Sequence, residues 1–135
     1  MTGNLRPMTV TYVIDGAEVT GLRSFWQVIG AAVNGPGGYF GANLDAFADC
    51  LGGGFGTPED RDFVIEWRDH ELSRRALGRE ETVRQLRLRL ERAHTSNRAA
   101  IQRQLDEAVA GRGPMVFDWL VEIIERQAPG TLRLL

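Results

Sequence analysis

The chain has 135 residues, 43% of them apolar and 25% charged, with a formal net charge of −2 and a single cysteine. That length suits one domain with a substantial core, and no apolar run approaches the roughly 18 residues that a membrane span needs. The lone Cys50 excludes an internal disulfide and argues against a thiolate metal site.

The charge is unevenly placed. Residues 36–62 carry five acids (Asp45, Asp49, Glu59, Asp60, Asp62) against Arg61, whereas residues 68–103 carry ten arginines against five acids. Lysine is absent throughout, which removes one class of catalytic group. The opening residues, Met1 to Pro7, lack an apolar signal region, so an intracellular, cytoplasmic protein is expected.

In chain order, Thr9 to Ile14 is β-rich and alternating and predicts a strand that ends at the Asp15-Gly16 turn. Leu22, Phe25, Trp26, Ile29 and Val33 keep a helical stripe, with Thr20 or Ser24 as its cap. Asn34 to Gly38 is a loop. A short helix follows from about Gly41 to Leu51, with Asn43 as its N-cap and Gly52-Gly53-Gly54 as its stop. Phe63 to Trp67 is mostly apolar and predicts a central strand. His70 to Leu77 is a short helix that ends at Gly78.

Residues from about 80 to 110 are Arg-rich and helical. Val83, Leu86, Leu90, Ile101, Leu105 and Ala108 form the stripe, broken at His94 to Asn97, where Ser96 is the expected cap of a second helix. Pro114 stands near the start of a last helix with Val116, Leu120, Ile123 and Ile124 on its apolar face. Pro129-Gly130 ends it, and Thr131 to Leu135 is a closing strand. Strands separated by helices favour a parallel sheet with crossover helices. The expected fold class is therefore α/β, a small three-stranded parallel sheet with packed helices.

The helix around residues 41–51 carries the functional signal. Leu44, Phe47 and Leu51 share a face that must be buried. Asp45 and Asp49 lie four apart on another face, where like charges cost a helix roughly 0.2–0.5 kcal/mol. By itself such a pair is an ordinary solvated feature, but it also suits a protein that presents concentrated negative charge to a basic partner. Elsewhere the bland readings prevail. His70 and His94 have no ligand spacing around them, the glycine clusters fit neither a dinucleotide fingerprint nor a P-loop, and Trp26, Trp67 and Trp119 lie on apolar stripes. No metal site, cofactor or catalytic constellation is expected.

Tyr39-Phe40-Gly41, Asn43-Leu44-Asp45-Ala46 and Asp49-Cys50-Leu51 together resemble the central helix motif of the barstar family, intracellular inhibitors of secreted microbial ribonucleases. The strand from Val64 to Arg68 resembles that family's second strand. The likeness is good over about residues 9–77 and loose over 114–135. It implies a barstar-like α/β fold, an N-terminal tail over residues 1–8, one domain over 9–135, and a helical insertion at about 79–113.

The resemblance further implies that the partner is a secreted ribonuclease, barnase-like or related, whose basic active site is blocked by an acidic helix and its preceding loop. Asp49 would be the principal phosphate mimic and Asp45 its companion. Tyr39 would stack on a catalytic imidazole or an arginine, Gly41 and Asn43 would give backbone and amide contacts, and Phe55 would stand as an aromatic rim residue. Glu122 and Glu125 are both candidates for an acidic contact from the last helix. The sequence departs from the family pattern at Ala48, where an aromatic is usual, and in its longer 52–61 loop.

No membrane or nucleic-acid partner is expected on this reading, and the chain is not an enzyme. The alternative function is a regulator on the same fold that binds a non-ribonuclease partner or nucleic acid through the Arg-rich insertion. An enzyme that uses Asp45 and Asp49 as an acid–base pair lacks any second catalytic group nearby.

Overall fold

A computed structural model describes residues 8–135, so all of the expected N-terminal tail except Met8 lies outside the described residues. The elements are β1 (Val10–Asp15), a single 3-10 turn (Gly16–Glu18), α1 (Leu22–Asn34), α2 (Leu44–Leu51), β2 (Phe63–Arg68), α3 (His70–Ala76), α4 (Arg79–Arg92), α5 (Thr95–Val109), α6 (Val116–Gln127) and β3 (Leu132–Leu134). The sheet is parallel throughout, in the order β1-β2-β3. The expected α/β class and the central place of β2 are both found.

Register explains which residues form the core. Tyr12 and Ile14 of β1 stand opposite Ile65 and Trp67 of β2, which in turn stand opposite Leu132, partly buried, and Leu134, exposed, of β3. Because side chains alternate across a strand, these residues share one face. α1, α2 and α6 cover it with Phe25, Ile29, Phe47, Leu51, Phe117 and Leu120, all buried. An aromatic chain runs through the interior. Phe25 lies 5.5 Å from Phe47 and 5.2 Å from Trp67, and Trp67 lies 5.0 Å from Phe117 between ring centres. Trp26 is only partly buried, at the edge of this cluster.

The expected element ends hold to within a residue or two, apart from the entry to α2, but two caps are instructive. At α1 the choice between Thr20 and Ser24 is settled as a capping box: Ser24 Oγ accepts from the N–H groups of Thr20 and Gly21, at 2.8 and 3.1 Å, and donates to the Gly21 carbonyl. At α5 the expected Ser96 cap is wrong. His94 takes the N-cap position without a side-chain cap hydrogen bond, and Ser96 lies inside the first turn with its Oγ 3.3 Å from His94 Nδ1.

α4 and α5 pack on each other and are also joined to the domain. Leu86, Leu105 and Ala108 make a second buried cluster, completed by Val83, Leu90 and Trp119 of α6. Glu81 of α4 accepts from the Leu22 N–H at 2.7 Å, so it caps α1 from 59 residues away. Thr82 Oγ1 likewise accepts from the Val116 N–H at 2.9 Å, at the start of α6. The Arg-rich stretch is thus joined to the domain at both a core cluster and two helix starts.

Candidate functional site

α2 is short, eight residues, and is held by one face. Phe47, Leu51 and Cys50 are buried and Leu44 is partly so. Full burial of a side chain such as Phe47 or Leu51 is worth about 1.5–3 kcal/mol, which suffices to fix a helix that would not form in isolation. Asn43 caps it as expected, with Oδ1 accepting from the Ala46 N–H at 2.8 Å. Entry to the helix depends on Gly41. This residue is buried at φ +95°, and a Cβ added to it would lie 2.7 Å from the Phe47 backbone nitrogen. Gly41 therefore shapes the approach to α2 rather than offering surface.

The opposite face carries Asp45 and Asp49, both exposed. Neither carboxylate is in an ion pair among the described residues. Their positions on the helix are not equivalent. Asp45 lies in the first turn, where the helix dipole favours an anion by about 0.3–1 kcal/mol. Asp49 lies in the last turn, which holds no basic residue, and the same dipole disfavours it there. Asp45 has a structural reason to be acidic. Asp49 has none.

Two exposed aromatics lie on the loops before and after α2. Tyr39 is 53% exposed and Phe55 46% exposed. A residue that sequence reasoning left in a loop unites them: the Asn34 amide donates to the backbone carbonyls of both Tyr39 and Phe55, each at 2.8 Å. Arg61 does similar work behind the helix. At φ +60° it donates to the Gly52 carbonyl at 3.1 Å and to the Gln127 carbonyl at the end of α6. Both residues bind backbone carbonyls across loops, and nothing in local sequence spacing points to such pairings.

The Cys50 thiol is buried, and burial raises its pKa with a further push from the Asp49 charge, so it is an inert core group. Glu122 pairs with Arg126 on α6; Glu125 is exposed and lies in none of the ion pairs of the described residues. Arg89 of α4 lies over the Trp119 ring, its guanidinium carbon 4.7 Å from the ring centre. Burial lowers the Arg89 pKa, and the charge of Asp45 opposes that shift. Arg89 and Asp45 line one groove, so the Arg-rich helix borders the acidic one.

Among the described residues no group of three or more His, Cys, Asp or Glu side chains is placed to hold a metal ion. No helix there is long and apolar enough to cross a membrane. Three clefts of the described surface are lined by none of Asp49, Tyr39 and Phe55. The face is outward-facing surface, unlike the concave site typical of small-molecule chemistry.

A three-stranded parallel sheet under three helices, with an acidic helix turned outward between two tied loops, defines a small α/β protein built around a surface rather than a pocket. The family model described as Barstar (barnase inhibitor) matches residues 9–110. The chain belongs to the barstar family. The match runs from β1 through α4 and α5 and ends before α6, so it takes in the Arg-rich stretch and leaves out the 114–135 segment. No curated protein matches the chain.

Proposed function

We propose that this protein is a cytoplasmic inhibitor of a secreted microbial ribonuclease and performs no chemistry of its own. A ribonuclease active site must bind an RNA backbone and is therefore rich in cationic side chains. Asp49 and Asp45 would occupy phosphate positions there, accepting charge-assisted hydrogen bonds from arginine. Tyr39 and Phe55 would pack at the rim on either side, and the Asn43 amide nitrogen would be left for a partner once its oxygen has capped α2. On α6, Glu122 or Glu125 would supply a further acidic contact; Glu122 is already paired with Arg126 and Glu125 is not in an ion pair of the described residues.

The single observation that carries this reading is Asp49: an exposed carboxylate, outside every ion pair of the described residues, at the helix end where both the dipole and Asp45 oppose it. Family membership supports it independently. The test is an inhibition assay with Asp49→Ala. Truncating one partner of a desolvated charge pair costs about 2–5 kcal/mol, so the inhibition constant is expected to rise at least about thirtyfold. Urea denaturation should show the same stability as the parent or slightly more. A variant that inhibits as well as the parent would remove Asp49 from the interface.

A second reading, a regulator that binds nucleic acid through the Arg-rich stretch, has one observation of its own. Arg75, Arg79 and Arg87 line a cleft of about 990 Å³ and enter no ion pair among the described residues. Glu80 and Val109 share that cleft, and this mixture makes it the weaker of the two.

A further inference from the structure

A second groove borders the acidic helix. It has a volume of about 830 Å³ and runs between the start of α1, the entry to α2 and the length of α4. Its apolar lining comes from Leu22, Trp26, Leu44 and Leu88, and its charged lining is Arg23, Arg84, Arg89 and Arg92 against the single acid Asp45. These arginines are not alike. Arg84 is neutralised by Glu81, with Nε 2.8 Å from Oε1. Arg89 is stacked on Trp119 beside Asp45. Arg23 and Arg92 are exposed, and neither they nor Arg89 enter any ion pair of the described residues.

The groove is continuous with the inhibitory face, since Asn43 and Asp45 belong to both. A body seated on Asp45 and Asp49 therefore covers the mouth of the groove. If its surface there were basic, as the surround of an RNA-binding site tends to be, it would meet Arg23, Arg89 and Arg92 with like charge. Juxtaposed like charges in a closed interface cost several kcal/mol, enough to cancel a good part of what Asp49 contributes. An RNA strand fits the groove less well than a protein does. Asp45 stands in the path of a phosphate backbone and Arg84 is already neutralised, so the lining does not present one continuous positive track.

We propose that this groove is the second half of the inhibitory interface and receives an acidic surface segment of the ribonuclease next to its active site, so that Arg23, Arg89 and Arg92 decide which ribonuclease the protein inhibits. The proposal rests on the reading of α2 given above and adds the partner's chemistry: a basic active site with an acidic flank. Attraction at Asp49 then supplies affinity common to ribonucleases, and repulsion at the arginines excludes those without the acidic flank.

The experiment is an inhibition assay on a fluorogenic RNA substrate against a panel of purified secreted bacterial ribonucleases, barnase included. The parent, Asp49→Ala and the double reversal Arg23→Glu/Arg92→Glu are compared, with folding of each checked by thermal melting. Against the ribonuclease that the parent inhibits best, the double reversal should raise the inhibition constant at least about tenfold, a change of about 1.4 kcal/mol. An inhibition constant unchanged within about twofold, or one that falls, overturns the groove while a large Asp49→Ala effect leaves the reading of α2 standing.

The converse result separates them the other way: loss on arginine reversal with none at Asp49 keeps the groove and overturns the helix. A parent that inhibits no enzyme of the panel overturns both. A labelled twelve-nucleotide RNA is the last arm. Binding of that RNA by the parent, abolished by the reversal while inhibition is unchanged, assigns the groove to nucleic acid and overturns the proposal.

Discussion

At the scale of single residues, Asp45 and Asp49 look alike in sequence and differ in the structure. The four-residue spacing shows only that they repel. The observed start of α2 at Leu44 separates them, because it puts one at the favourable end of the helix and the other at the unfavourable end. Gly41 makes a comparable point about backbone. Replacing it with Ala would force a side chain into a left-handed conformation and against the Phe47 nitrogen. Such strain costs about 1–3 kcal/mol, and urea denaturation of Gly41→Ala should show a loss of that size together with weakened inhibition as α2 shifts. A Gly41→Ala variant as stable as the parent would mean that the turn can relax. Asn43 was legible as a cap because its partner is three residues away. Asn34 was not, since one of its two acceptors is 21 residues along the chain.

Among elements, hydrophobic period was the reliable guide. The stripes of α1, α2 and α6 and the apolar run of β2 all identify what must be buried, and their residues are buried except Trp26, Val33, Leu44 and Ile123, which are partly so. Caps were less legible because local rules compete: Ser96 has the right residue type, yet the chain turns two residues earlier. Glu81 was beyond any local rule, since it caps a different helix. Burial works to raise its carboxyl pKa, but hydrogen bonds from Arg84, the Leu22 N–H and Gln85, with the Arg84 charge, outweigh this and hold it below the usual 4.5. The folded state thus binds this proton less readily than the unfolded chain does. Its contribution to stability is complete above pH 4.5 and fades as pH falls below that value through the depressed folded one. Glu81→Gln should cost about 1–3 kcal/mol at pH 7, and the difference from the parent should shrink in denaturation curves at pH 3. A difference independent of pH would show that packing, not charge, holds α4 on α1.

For the whole molecule, the sequence revealed that residues 79–113 had something to bury but not what it would be buried against. An apolar stripe on an Arg-rich helix is equally compatible with a helical pair that packs only on itself and with one that also packs on the domain. The pair packs on itself, and Trp119, Glu81 and Thr82 fasten it to the domain as well. Deleting 79–113 should therefore uncover Trp119 and leave the N–H groups of Leu22 and Val116 without their acceptors. Two lost hydrogen bonds at buried helix starts cost about 1–3 kcal/mol each, so the deletion variant should melt at least about 8 °C below the parent and bind a hydrophobic dye. Melting within a couple of degrees of the parent would instead mark the stretch as a detachable appendage. Deletion is accordingly a poor way to ask what the arginines bind, and point reversals at Arg23 and Arg92 are the cleaner instrument.

The Asn34 bridge has a consequence for how such a surface can be retargeted. Its amide grips only main-chain oxygens, so the side chains at Tyr39 and Phe55 can be exchanged without losing the bond that aligns their loops. On the proposed function, recognition and scaffolding would be held by different atoms of the same two residues. A library randomised at positions 39 and 55 over a fixed Asn34 should keep its loops in place while the rim chemistry changes, whereas Asn34 itself is the one position in that neighbourhood where variation unlinks both edges at once.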